Sequence, residues 1–363
     1  MDIRAFVLRT VVVMLGVIST ASTVEKGENF VYPGKHWCYR APKEIGMDAS
    51  KLDALRALVG GRGCVVRNGF LCYAWGDQSK SEDVASAVKP VISTLMLIAV
   101  QEGRLRSVDS HVSEFEPRLC GINGGKDAGI TWRHLASMTS GYGLSERPGE
   151  AWAYNDCAIA LFYDVLMQKV FKQDGDEVLK SRLGRILRFE DRYTFYAFGP
   201  NDRPGRLSIS VRDFARFGYL FLRGGKWEQK QVLAPGLVRM ALSSAVPAST
   251  PRTSGREAEM LPNQRSIGGG KDQTPTGPGY YSFNWWLNGL DALGRRLFVD
   301  APPDTFVASG HGGKRCVWVI PSLGIVVSWN DADVEDHDKS PGNPGTKCNR
   351  AIRLVVEAAR SGG

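Results

Sequence analysis

Ser86 is the only serine of the chain with a lysine three residues on, and this Ser86-Ala-Val-Lys89 stands where a helix should begin. Residues three apart share a helix face, so the hydroxyl and the amine can approach each other. A serine hydroxyl needs a base to become a nucleophile, and a lysine whose pKa is lowered by burial can help supply one. The start of the same helix offers free backbone N–H groups and the positive end of a dipole, both suited to a developing oxyanion. The spacing outlines serine acyl transfer. Alone it is a weak signal, because an amphipathic helix with a surface lysine reads the same way.

The elements that must hold these groups follow from patterning. Pro90 to Gly103 is apolar, helical in character and closed by a glycine. Cys64 to Gly76 reads as a β-hairpin around Asn68-Gly69. A helix capped by a serine is expected over Ser50 to Leu58. Further helices are expected over Ser81 to Glu102, Trp132 to Met138, Trp152 to Phe171, Asp176 to Leu187, Val211 to Leu222 and Cys348 to Ala359. Strand character marks Tyr280 to Leu287, Arg296 to Val299, Cys316 to Ile320 and Gly324 to Trp329, and residues 245–279 read as a long Pro/Gly/Ser/Thr-rich loop. Strands at both ends with helices between predict an α/β plus all-α architecture. An antiparallel sheet would come from 22–110 and 280–363, flanked by helices, with a mainly helical region, 111–279, inserted.

Residues 1–21 carry the pattern of a secretory signal: Arg4 and Arg9, an apolar run from Thr10 to Ile18, then small residues ending at Ala21. The apolar run is too short to span a membrane, so an exported protein is expected, periplasmic or extracellular. In an oxidising compartment some of the seven cysteines should pair, the odd count leaving at least one over. Cys64 falls opposite Cys72 if Arg67-Asn68-Gly69 forms a three-residue turn; a two-residue Asn-Gly turn points them to opposite faces. The net charge of +8 is scattered along the chain, which argues against nucleic-acid binding.

Several segments line up with the first motif: Ile130-Thr-Trp-Arg-His-Leu-Ala-Ser-Met-Thr-Ser-Gly-Tyr142, Ala153-Tyr-Asn-Asp-Cys157, Leu207 to Gly218, Tyr280 to Trp286, and Gly310-His-Gly-Gly-Lys-Arg-Cys-Val-Trp-Val-Ile-Pro321. Together they closely resemble the serine hydrolase superfamily of class C β-lactamases, DD-peptidases, family VIII carboxylesterases and nylon-oligomer hydrolases, over about residues 45 to 330. The resemblance implies the β-lactamase/transpeptidase-like fold and an acyl-enzyme on Ser86, with Lys89 and Tyr154 sharing the base role. It implies no metal or organic cofactor. The Tyr-x-Asn motif falls at Tyr154 to Asp156, with aspartate where asparagine is usual. The Lys-Thr-Gly motif falls at His311-Gly312-Gly313, and the oxyanion donors would be the N–H groups of Ser86 and Lys314. A tyrosine ordinarily ionises near pH ~10, so it needs a neighbouring ammonium to act as a base. Glycines at 312 and 313 let a strand approach a substrate with no Cβ in the way.

Two departures shape the expected chemistry. Without the motif lysine the site should lack a fixed cation, and His311 is neutral for much of the time near pH ~7. That points to ester, amide or peptide bonds of small molecules, with neutral esters ahead of β-lactams. Asp156 should sit close to Lys89, keep it protonated and leave Tyr154 as base; the same feature fits a binding or sensor protein with weak turnover. Strand alternation puts Trp285 and Trp286 on opposite faces, with Trp286 facing the acyl pocket. His134, among apolar neighbours, reads as structural. Asn330 to Asp338 lacks the glycine and twelfth-position glutamate of an EF-hand and reads as a solvated acidic loop.

Overall fold

A computed structural model of the chain describes residues 30–199, 202–243, 246–263, 274, 276–334 and 341–362. The expected signal at 1–21, parts of the 245–279 loop and the acidic run from Glu335 lie outside the described residues. Strand β1 (Cys38–Tyr39) and helix α1 (Ala49–Val59) lead into the hairpin of β2 (Arg62–Arg67) and β3 (Phe70–Trp75). Asp48, not Ser50, caps α1, accepting the Ser50 N–H at 2.8 Å. The hairpin turns on two residues, Asn68 and Gly69, with φ of +51° and +88°, the geometry Asn-Gly favours.

That turn decides the cysteine question. Val66 pairs with Leu71 and Val65 with Tyr73, so Cys72 sits in a bulge and does not face Cys64. Cys64 contacts the Val211 carbonyl at 3.8 Å and Cys72 the Val65 carbonyl at 3.4 Å. The two stand as buried thiols, each pushed up to about 12 by burial. The conditional bridge does not form. Buried cysteines here behave as small hydrophobes.

After β4 (Glu82–Asp83) comes one tight turn, Ala85–Val88, and then α2 (Lys89–Gln101). Helix α2 is buried along nearly its whole length, from Lys89 to Ala99, which explains its unbroken apolar sequence. Helices α3 (Trp132–Ala136), α4 (Asp156–Asp164) and α5 (Gly175–Leu179) follow; α4 runs on with wider turns to Phe171. Two strands unforeseen in the sequence follow, β5 (Thr194–Phe198) and β6 (Arg203–Ile209); β6 pairs with β5 on one side and β4 on the other in a three-stranded sheet beside the Ser86 turn. Helix α6 (Val211–Leu222) lies against the main sheet, where a Cβ on Gly218 would stand 2.7 Å from Val317 and 2.9 Å from Val326. Glycine lets helix and sheet meet at that point.

Short strands β7 (Lys226–Trp227) and β8 (Lys230–Gln231) and helix α7 (Pro235–Leu242) lead to the last part of the main sheet. Tyr280 to Leu287 is not one strand but a hairpin of β9 (Tyr281–Ser282) and β10 (Trp285–Leu287), turned by Phe283 and Asn284 at φ of +45° and +68°. Arg296 to Val299 forms no strand beyond a single bridge between Arg296 and Leu290. Strands β11 (Phe306–Gly310), β12 (Arg315–Ile320) and β13 (Ile325–Asn330) and helix α8 (Lys347–Ser361) complete the chain.

The main sheet has eight strands in the order β1-β3-β2-β13-β12-β11-β10-β9. It is antiparallel except at one edge, where β1 runs parallel to β3. The N- and C-terminal parts join where β2 pairs with β13, Val66 opposite Val326. The described part of the long loop packs on the segment before α4: Trp152 donates to the Pro251 carbonyl and accepts from Thr253. Among the described residues no helix is long and apolar enough to cross a membrane.

Candidate active site

Ser86 lies in the tight turn ahead of α2, with Lys89 as the first residue of the helix. The turn is set by Asp83, whose carboxylate accepts the Ala85 N–H at 2.9 Å, and by Ala85 at φ +51°. Lys89 is 1% exposed; its Nζ donates to Ser86 Oγ and to Tyr154 OH, each at 2.8 Å, and lies 3.0 Å from Asp156 Oδ1 as an ion pair. Two hydrogen bonds and one ionic contact hold this buried amine in place. Serine, lysine and tyrosine thus meet around one nitrogen.

Helix α4 delivers the other side of the cluster. Asn155 caps it, accepting the Ala158 N–H and donating to the Tyr142 carbonyl at 2.7 Å, which fixes the residues on either side. Asp156 is reached by Lys89 and also by Arg203 of β6, whose Nη1 is 3.2 Å from the same Oδ1. Burial alone would raise the Asp156 pKa, but Lys89 and Arg203 outweigh it and hold the carboxyl below its usual range. Arg203 is itself 2% exposed. Sequence reading passed over it, since an arginine in a Pro/Gly-rich stretch carries no motif.

The β9–β10 hairpin closes a third side. Trp286 stacks on Tyr154 at 6.0 Å between ring centres, while Trp285 packs the other way on Phe217, Phe221 and Phe306. The expected split of the two tryptophans is observed. Asn284, in the left-handed turn, donates to Ser93 Oγ at 2.7 Å and to the Lys89 carbonyl at 3.3 Å, and accepts from Tyr281 OH at 3.1 Å. This buried asparagine ties the hairpin to the first turn of α2. His134 caps α3 with Thr131, in keeping with a structural role.

The glycine motif differs from expectation. His311, Gly312, Gly313 and Lys314 form the turn between β11 and β12, not an extended strand. The Lys314 N–H donates to the His311 carbonyl at 3.2 Å, so the donor expected there is engaged within the turn. The residue packed on the nucleophile turn is Gly310: a Cβ there would lie 2.4 Å from the Val84 carbonyl and 3.0 Å from the Ala87 nitrogen. Strand parity identifies the groups at the open edge. Asn288 N–H donates to the Thr305 carbonyl, so odd-numbered residues of β11 present their polar groups towards β10. Pairing with β10 ends at Val307, which leaves Ser309 on that edge, two residues before the turn that opens with His311. Among the described residues no cluster of His, Cys, Asp or Glu is suited to a metal.

Residues 82–339 match the family model named Beta-lactamase. The chain belongs to the β-lactamase family. Solved structures share its fold at low identity. A β-lactamase from Mycobacterium bovis is 16% identical, with a TM-score of 0.58, over 85% of this chain and 99% of that one. EstCE1, a hydrolase with promiscuous acyltransferase activity, is 14% identical (TM-score 0.61; 87% and 99% covered). A penicillin-binding protein homologue from Caulobacter crescentus is 12% identical (TM-score 0.60; 88% and 98%). No curated protein sequence matches the chain.

In this β-lactamase-family chain the site is more cationic than the missing motif lysine suggests. Asp83 is paired with both Arg206 of β6 and Arg315 of β12. His311 is held below the usual histidine value, by burial first and then by Arg315 and Arg206. Fixed cations therefore stand near His311, contrary to expectation. They come from two strands that motif reading does not connect.

Proposed function

We propose that the chain is a serine hydrolase that cleaves ester or amide bonds through an acyl-enzyme on Ser86. The observation that carries this reading is the convergence of Ser86 Oγ and Tyr154 OH on Lys89 Nζ, each at 2.8 Å. Ser86 Oγ attacks the carbonyl carbon and its proton passes to the Lys89–Tyr154 pair. The pair returns that proton to the leaving alcohol or amine as the carbonyl re-forms, then activates the water that releases the acid. We assign the oxyanion donors to the N–H groups of Ser86 and His311, since Gly310 brings this end of β11 onto the nucleophile turn. Trp286 would form one wall for the acyl group. Export, with cleavage near Ala21, is part of the same proposal; sequencing the N-terminus of secreted protein tests it.

A second reading is favoured by Arg206 and Arg315: substrates with a carboxylate, such as acyl-D-amino acids, cell-wall peptides or β-lactams. Two guanidinium groups share one carboxylate, Asp83, which leaves net positive charge for an anion. The decisive experiment is labelling with a fluorophosphonate and with a penicillin, read by intact mass in wild type and Ser86→Ala. Ser86-dependent adducts support the hydrolase, and the penicillin arm reports whether carboxylate-bearing acyl donors are accepted. Unchanged hydrolysis by Ser86→Ala refutes the nucleophile assignment.

A further inference from the structure

Asp156 stands where the family usually has a neutral asparagine, so a negative charge has been added 3.0 Å from the ammonium of Lys89. Left alone, that carboxylate would favour a protonated Lys89 and hinder its use as a base. The structure supplies a counter-charge. Arg203 of β6 lies 3.2 Å from the same Oδ1 through Nη1, an ionic contact, and neither Nη1 nor Nε of this buried guanidinium has a hydrogen-bond partner among the described residues. Burying an arginine this deeply is costly unless its charge is matched.

We propose that Arg203 is a positioning residue that neutralises Asp156, so that the pair together replaces a neutral asparagine and leaves the Ser86–Lys89–Tyr154 base available. This rests on the hydrolase reading given above. The carboxylate of Asp156 is in ionic contact with Lys89 of α2 and Arg203 of β6, and it interacts electrostatically with Arg206 of β6 and Tyr281 of β9. Only Lys89 and Arg203 are in ionic contact with it among the described residues. Removing Arg203 leaves Asp156 to Lys89 alone; removing the charge of Asp156 leaves Arg203 unmatched beside Lys89. The two changes push the base in opposite directions.

The test uses full-length protein with Arg203→Gln, Asp156→Asn and the double variant. The rate of Ser86-dependent fluorophosphonate labelling is followed against pH, beside the denaturant midpoint of each protein. Arg203→Gln should move the acidic limb of the rate profile up by about one pH unit or more. Asp156→Asn should move it down, and the double variant should return it near wild type. Arg203→Lys should keep the limb near its wild-type position. In unfolding, each single change should lower the midpoint and the double should recover part of the loss. An unmoved limb in Arg203→Gln, or shifts of the same sign in both singles, overturns the proposal. So does a double variant whose stability loss is the sum of the singles. If wild type shows no Ser86-dependent labelling, the hydrolase reading fails instead, and the unfolding cycle still decides whether the two charges are a pair.

Discussion

Tyr154 and His311 are two residues on which the proposed chemistry turns, and their surroundings differ. Tyr154 is buried against Trp286 and Tyr281 and hydrogen-bonded to Lys89. Tyr154→Phe keeps the ring packing and deletes only the hydroxyl, so kcat should fall about a hundredfold or more with little change in Tm. Near-normal rates across pH would leave Lys89 as sole base. His311 is held below its usual value, so it is neutral at neutral pH and becomes cationic only as pH falls through that lowered value. His311→Lys adds a charge at every working pH. The ratio of kcat/KM for a chromogenic cephalosporin to that for a p-nitrophenyl ester should rise about fivefold or more near pH ~7.5. The gain should shrink as pH falls and the wild-type histidine protonates; a gain independent of pH would show that the histidine charge plays no part. Ser86 with Lys89, and Tyr154 with Asp156, were legible because each pair falls in a short motif of fixed internal spacing. Arg203 was not, because its partner lies far off in the chain, on an element that sequence periodicity did not reveal.

At the scale of elements, the site depends on how the β9–β10 hairpin grips α2. Asn284 is 2% exposed and its amide bonds to Ser93 Oγ and the Lys89 carbonyl. Asn284→Ala strands those groups and the Tyr281 hydroxyl in the core, at a cost of about 1–3 kcal/mol. A lower Tm together with reduced kcat is expected, while Asn284→Asp should recover neither, since a carboxylate cannot donate to them. Loss of stability with full kcat would make the tie purely structural. The helices with strong apolar periodicity were read well; α6 was expected over Val211 to Leu222 and is found there. The hairpin was read as one strand because its turn, Phe283-Asn284, carries no glycine or proline. Strand β11 escaped notice because Phe306 to Gly310 is short and mixed with small residues, although it presents the edge that faces Ser86.

At the scale of the molecule, the charge around the site is assembled from remote parts of the chain. Asp83 precedes the nucleophile turn, Arg206 belongs to β6 and Arg315 to β12, and they meet because β4 pairs with β6 while β11 and β12 close over the turn. The sheet that unites N- and C-terminal segments was legible from strands at both ends, yet the position of these cations was not, since it depends on the small sheet. The net charge of the chain is +8, so on the carboxylate-binding reading an anionic substrate would be attracted both at long range and at the site. Such attraction is screened by salt, with a Debye length of about 30 Å at ~0.01 M and about 8 Å at ~0.15 M. Raising ionic strength across that range should lower kcat/KM for a cephalosporin several-fold while changing that for a neutral ester far less. Arg315→Gln should flatten the salt dependence and reduce the cephalosporin value more than the ester value, because Asp83 then has only Arg206 to balance it. If the two substrates respond alike to salt, the arginines serve only to hold Asp83 and the nucleophile turn, and the carboxylate-binding reading falls.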